Sequence, residues 1–228
     1  MDFEEFNSAL TIFQGICLAP RNESGFPAAP GRLIKTISVP SGDHLGDESL
    51  SKRPMGRVIE PLRLMGADIS GNDSKPPLLI KGGKQLSSIE YTLPVASAQI
   101  KSCLLLAGLY SDGKTTIIEN GISRDHTERM HKGFGYDVTS SSNTISLMGG
   151  GSLKSCDIEV PSDISSAAFF MVAGCISENS SIVLEAVNIN PTRTGVIDIL
   201  RLMGGNIELL NQKTDVINLG LQVLQAEL

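Results

Sequence analysis

Apolar residues along this chain alternate between a helical and a strand-like period, and the alternation recurs. Val58, Leu62, Leu64 and Met65 lie three and four residues apart ahead of Gly66, and Val196, Ile197, Ile199, Leu200 and Met203 do the same ahead of Gly204. That spacing predicts helices packed on one face. A short strand-like run follows each, in Leu-Met-Gly-Ala-Asp-Ile (64–69) and Leu-Met-Gly-Gly-Asn-Ile (202–207), with Gly-Phe-Gly-Tyr-Asp-Val (133–138) between them. Gly66, Gly135 and Gly204 therefore stand 69 residues apart, each where a left-handed helix C-cap is expected.

A second block repeats between these. Ser97–Gly108 (SAQIKSCLLLAG) and Ser165–Gly174 (SSAAFFMVAG) are small at the start, apolar behind and glycine-ended, and each leads through a polar turn to a β-rich run, TTIIE (115–119) or SIVLE (181–185). Together the blocks describe an α/β (α+β) chain built from βαβαββ units. Residues 42–82 supply the rear half of a first unit, 88–149 a whole second and 156–210 most of a third. The ends depart from the pattern. Residues 1–40 are rich in turn formers with one strand candidate, LIKTISV (33–39), and 214–228 reads as a strand and a short helix. We expect the folded core to span 42–213, with 1–32 poorly ordered, in an array that looks cut or rearranged.

Composition narrows the function. With 228 residues, 41% of them hydrophobic, the chain is long enough to bury a core, and no apolar run reaches the length of a spanning helix. The acidic start, MDFEEFNSAL, does not read as a signal peptide, so we expect a cytoplasmic protein with no membrane partner. A net charge of -6 and the absence of Trp argue against a nucleic-acid partner. Cys17, Cys103, Cys156 and Cys175 form no C-x-x-C pair, so no metal site is expected, and Cys103 and Cys175 read as small buried hydrophobes.

Four clusters carry candidate chemistry. In GDESLSKRPMGR (46–57), Lys52, Arg53 and Arg57 crowd a loop entering a helix through Pro54, either as an anion site or as a solvated basic face. In PVASAQIKS (94–102), Ser97 stands at a helix N-cap with Ala98, Gln99 and Lys101 behind it, where first-turn amides attract an anion; an ordinary cap is the other reading. SRDHTERMHK (123–132) places Ser123, Arg124, Asp125, His126, Glu128 and Arg129 on a strand-to-helix turn. His126 and His131 are five residues apart and unsuited to a shared metal, Asp125 and Glu128 suit the helix dipole, and Ser123 and Arg124 are the functional candidates. In NPTRTG (190–195), Arg193 either stabilises a helix start or binds an anion. No P-loop, G-x-G-x-x-G, G-x-S-x-G or H-E-x-x-H motif is present, and no cofactor is expected.

With these motifs in hand, GDESLSKRPM, LPVASAQIKSCLLLAGL, SRDHTER, DISSAAFF and NPTRTG, the chain resembles the EPSP synthase family over about residues 42–213, closest to its glyphosate-tolerant bacterial class. The resemblance implies an inside-out barrel fold of two lobes, each of three βαβαββ units, here incomplete. It implies a divergent segment 1–41, first-lobe units over 42–158 and a further unit with a divergent tail over 159–228. It also implies a carboxyvinyltransferase of aromatic amino-acid biosynthesis, moving the enolpyruvyl group of phosphoenolpyruvate to the 5-hydroxyl of shikimate 3-phosphate. Arg53 matches the arginine that holds phosphoenolpyruvate or its mimic glyphosate. Ser97 and Ala98 match contacts to the 3-phosphate, Gln99 a glutamine near both ligands, and Arg124, in the loop opened by Ser123, a shikimate 3-phosphate contact.

The departures are specific. The family's opening Lys-Ser-Arg motif survives only as a remnant in VPSGDH (39–44), and its Gly-Asn-Ser-Gly-Thr helix start is missing. The aspartate, glutamate and lysine assigned to proton transfer fall in the missing lobe, so no catalytic residue is assigned, and the position that tunes glyphosate sensitivity is missing as well. Two functions remain open: a synthase completed by self-association or a complementing lobe, and a catalytically incomplete fragment that only binds shikimate 3-phosphate. The related transferase acting on UDP-N-acetylglucosamine is a third, less favoured by SAQIKS and SRDHTER.

Overall fold

The computed structural model describes residues 54–81, 84–214 and 219–227. The expectations for 1–41 and for Lys52 and Arg53 lie outside them, while Arg57 of the same cluster is exposed on the helix that opens the described chain. The order of elements is α1 (Gly56–Leu64), β1 (Asp68–Asn72), β2 (Lys75–Lys81), β3 (Glu90–Thr92), α2 (Ala98–Gly108), β4 (Lys114–Ile118), α3 (His126–Gly133), β5 (Val138–Ser141), β6 (Thr144–Met148), α4 (Ile164–Ile176), β7 (Ser181–Leu184), α5 (Gly195–Leu202), β8 (Asn206–Thr214) and β9 (Leu219–Glu227). The middle unit runs β3-α2-β4-α3-β5-β6, a complete βαβαββ. Two compact units emerge, one holding residues up to Gly121 together with Asp137–Ser152, the other Ile122–Tyr136 together with Leu153 onward.

The glycine period has a local cause. Gly66, Gly135 and Gly204 all have positive φ, +93°, +71° and +95°. In each case the glycine N–H bonds back three residues, to Arg63, Lys132 or Arg201, and the next N–H bonds back five, to Leu62, His131 or Leu200. This double closure is a Schellman motif, which satisfies carbonyls that a helix end would otherwise leave bare. A further device recurs: Arg63 donates through Nε and a terminal nitrogen to the Ile69 carbonyl (2.8 and 2.5 Å), and Arg201 does the same to Ile207 (3.0 and 2.7 Å). Each arginine thus ties its helix to the strand that follows the glycine.

In the first unit, β1 and β2 form an antiparallel hairpin, while β3, β4, β6 and β5 form a four-stranded sheet in that order, with β3 and β4 parallel and the other pairs antiparallel. α2 is the crossover between the parallel strands, and it packs on β4 and β6. Thr115 faces Leu147 and Ile117 faces Ile145 across the β4–β6 ladder, and all four are buried. A Cβ on Gly108 would lie 3.1 Å from Leu147 and Thr115, so glycine permits this close approach of helix to sheet. Val58, Ile59, Leu62 and Met65 bury the inner face of α1, while Leu64 is 66% exposed because it lies two positions, and so about half a turn, from Leu62. Pro54 precedes the Met55 N-cap and stands outside the helix that it was expected to open.

In the second unit, β9 lies between β7 and β8 and is antiparallel to both. The expected short helix near the C-terminus is therefore a strand, and β8–β9 completes the third unit's hairpin. Ile164, Ala167, Met171, Val187, Ile197, Leu200 and Ile207 form this unit's core. Ile199 and Met203 depart from the expected single face. They sit four residues apart on the outer side of α5 and are 58% and 78% exposed.

Candidate functional site

Two helix starts carry the residues singled out by sequence, one in each compact unit. In the first, Ser97 is extended (φ -141°, ψ 108°) and its Oγ accepts from the Ile100 N–H at 3.5 Å, the expected N-cap of an eleven-residue helix. Ala98 and Gln99 follow, half-buried, on the first turn, where backbone N–H groups and the helix dipole favour an anion. Lys101, the next charged residue of this cluster, turns inward. It is 1% exposed, and its Nζ lies 3.1 Å from Glu119 Oε2.

The second start belongs to α3. Ser123 and Arg124 are half-buried on the turn before it. Asp125 Oδ2 accepts from Arg129 Nε at 2.8 Å and from its terminal nitrogen at 2.7 Å. Asp125 Oδ1 accepts from Asn190 Nδ2 at 2.6 Å, and the same nitrogen lies 3.3 Å from His126 Nδ1. Asn190 is a residue that sequence reasoning missed; only its place in NPTRTG pointed near it. Burial raises the Asp125 carboxyl, but bonds from Arg129 and Asn190 outweigh it and hold the pKa below the ordinary 3.8. His126 is pushed below 6.5, mostly by burial; Asp125 pulls it up while Arg193, Arg124 and Arg129 push it down. Three guanidinium groups thus lie near enough to His126 to disfavour its charged form, two of them, Arg129 and Arg193, being paired with Asp125 and Asp163.

The third start, that of α4, shows how the repeat is altered. Asp163 occupies the position of Ser97 and caps with Oδ2 accepting from the Ser166 N–H at 3.3 Å. Arg193 reaches the same place, donating to Ser165 Oγ and lying 3.7 Å from Asp163 Oδ1. Burial raises the Asp163 carboxyl, but the Ser165 and Ser166 N–H groups and, after them, the Arg193 guanidinium hold it below the ordinary 3.8. Arg193 therefore reaches the start of α4 and not that of α5, the helix that NPTRTG opens. A carboxylate thus caps α4 where a hydroxyl caps α2. Among the described residues no group of three or more His, Cys, Asp or Glu side chains is arranged to hold a metal.

Comparison with known proteins gives one family. EPSP synthase (3-phosphoshikimate 1-carboxyvinyltransferase) matches residues 44–226. The 3-phosphoshikimate 1-carboxyvinyltransferase of Vesicomyosocius okutanii is 53% identical over 217 residues, covering 91% of this chain and 50% of that protein. The protein of the same name from Ruthia magnifica is 62% identical over 168 residues, 74% of this chain and 39% of its own length. An EPSP synthase structure from Acinetobacter baumannii superimposes with a TM-score of 0.72 at 54% identity, covering 80% of this chain and 41% of the other. The chain spans about half the length, or less, of the relatives it matches.

Proposed function

The chain belongs to the EPSP synthase family, and from that membership we propose that it serves the transfer of the enolpyruvyl group of phosphoenolpyruvate to the 5-hydroxyl of shikimate 3-phosphate. The observation that carries this reading is the family match from 44 to 226, which runs through both anion-suited helix starts, at Ser97–Gln99 and at Ser123–Arg124. In this reading the first-turn amides of α2, the Ser97 hydroxyl and Gln99 hold the shikimate 3-phosphate, and Arg124 adds a charge-assisted hydrogen bond. Arg53 holds phosphoenolpyruvate, for which glyphosate is a mimic. The reaction joins two anions, so cations that gather both ligands lower its barrier through position and charge. The acid and base that move protons at the 5-hydroxyl and at the methylene carbon are assigned to no residue here.

Phosphate release from shikimate 3-phosphate and phosphoenolpyruvate tests this reading. The purified chain, freed of host synthase, is expected to turn over far more slowly than a two-lobed relative. Turnover should rise when the unmatched half of the Vesicomyosocius okutanii protein is supplied, and should vanish in Arg124→Ala. No phosphate release with or without that half would defeat the proposal. The second reading is binding of shikimate 3-phosphate without turnover. Saturable binding without release under either condition would establish it.

A further inference from the structure

Asn190 is 1% exposed, and its carboxamide has no remaining hydrogen-bonding capacity. Nδ2 faces Asp125 Oδ1 at 2.6 Å and His126 Nδ1 at 3.3 Å, while Oδ1 accepts from Thr192 N–H at 2.9 Å and Thr192 Oγ1 at 2.8 Å. Two donors and two acceptor sites are all that an Asn side chain has. The network also sets the amide's orientation, because the opposite one would turn Nδ2 toward the Thr192 N–H and Oδ1 toward a carboxylate. The Asn190 N–H is itself held by Asn188 Oδ1 at 2.8 Å, so the amide stands on a fixed backbone. No other residue type reproduces this set: Asp lacks the donors, Gln is a methylene longer, and Leu leaves the Asp125 and Thr192 groups unmatched.

The two groups that Asn190 grips are the residues directly after Arg124. We infer that Asn190 is a positioning residue for the substrate turn, fixing Asp125 and His126 so that Arg124 is presented to an anionic substrate. The inference rests on the reading of Arg124 as a shikimate 3-phosphate contact. Asn190 touches no substrate in this scheme and acts through the 123–126 turn. Arg129 completes the clamp from the other side by holding Asp125 Oδ2.

The test is calorimetric titration of the 228-residue chain with shikimate 3-phosphate, in the parent and in Arg124→Ala, Asn190→Asp and Asp125→Asn/Asn190→Asp. Asn190→Asp sets two carboxylates against each other and should weaken binding at least tenfold. The double variant restores a donor–acceptor pair of reversed polarity and should recover most of that loss. A role confined to holding the fold would move thermal stability in step with burial and leave affinity unchanged in any variant still folded by circular dichroism. A second readout is the NMR titration of His126, which is faced by Asp125, Arg124 and Arg129 from its own turn and helix and by Arg193 from the Asn190 turn. Asn190→Ala removes a donor to the neutral ring, so the His126 midpoint should rise. If Arg124→Ala loses binding while Asn190→Asp stays within twofold of the parent, the positioning role is overturned and the reading of Arg124 stands. If the parent binds without any dependence on Arg124, or does not bind, that reading fails and the positioning role with it. An unchanged His126 midpoint in Asn190→Ala also overturns the inference.

Discussion

Lys101 Nζ lies 3.1 Å from Glu119 Oε2 in an ion pair whose side chains are 1% and 9% exposed. The pair ties the first turn of α2, where the Lys101 N–H bonds to the Ser97 carbonyl at 3.1 Å, to the residue just past β4. Glu119 is anchored in turn by its N–H, which donates to the Asn143 carbonyl at 2.8 Å. The helix start that carries Ser97, Ala98 and Gln99 is thereby fixed to the sheet by a buried charge pair.

Removing one member strands the other in a dry site. Lys101→Met or Glu119→Gln should destabilise the first unit by about 3–5 kcal/mol, whereas Lys101→Met/Glu119→Leu should lose much less, because no charge is then left unmatched. Denaturant titration of the three variants measures this. Equal losses in the single and double variants would show that the pair's charges are not what matters.

Glycine serves two distinct purposes here, and substitution separates them. A Cβ on Gly149 would sit 2.2 Å from the Ser111 carbonyl oxygen and 2.6 Å from that of Gly108, so backbone must move. At Gly204 there is open space, and only the φ of +95° opposes a side chain. Gly204→Ala should cost about 1–2 kcal/mol. Gly149→Ala should cost more, at or beyond the roughly 3 kcal/mol upper end for overpacking. Thermal melting orders the two, and the reverse order would contradict the close approach at Gly149.

Acid should weaken the second unit in two stages. His126 and His131 both titrate below 6.5 when folded, chiefly through burial. In His131 the Nδ1–H donates to the Thr127 carbonyl at 2.6 Å, which offsets part of that push. Because the unfolded chain takes up protons at these sites first, stability falls as the pH drops below about 6.5. Asp125 and Asp163 are depressed, so their contribution is present above 3.8 and is lost as the pH falls below it. The slope of melting temperature between pH 7 and pH 5 should flatten in His126→Asn/His131→Asn. An unchanged slope would remove both histidines from the account.

What was legible in the sequence followed from local rules. Only glycine enters the left-handed region freely, so Gly66, Gly135 and Gly204 marked three helix ends from spacing alone. Ser97 was legible as a cap because capping is settled within four residues. Asn190 was not, since its partners Asp125 and His126 lie 65 and 64 residues away and are brought to it only by the fold. The burial of Lys101 was not legible either, since it depends on Glu119 arriving from just past β4. The segment after residue 214 was read as part helix because Leu219, Leu221, Val223 and Leu224 fit either period, and pairing with β7 and β8 settles it as strand.

The altered repeat supplies a substitution that separates capping from ligand binding. Asp163 occupies in α4 the place of Ser97 in α2 and caps its helix with a carboxylate. Ser97→Asp should therefore keep the cap and the stability of the first unit, while placing a negative charge where the substrate phosphate is to sit. Ser97→Ala, by contrast, should lose about 1 kcal/mol of stability along with its ligand contact. Melting temperatures that fall equally in both variants would mean that Asp cannot replace Ser in this cap.

Binding of shikimate 3-phosphate itself is the most direct test of the central proposal, that the start of α2 at Ser97 and, separately, the turn at Arg124 each contribute to binding this substrate. Isothermal titration of the parent chain should give saturable binding, weakened tenfold or more in Arg124→Ala, as expected for loss of a charge-assisted hydrogen bond of about 1.5–3 kcal/mol, and abolished in Ser97→Asp with the fold retained. Binding of equal strength in all three proteins, or none in the parent, would contradict it.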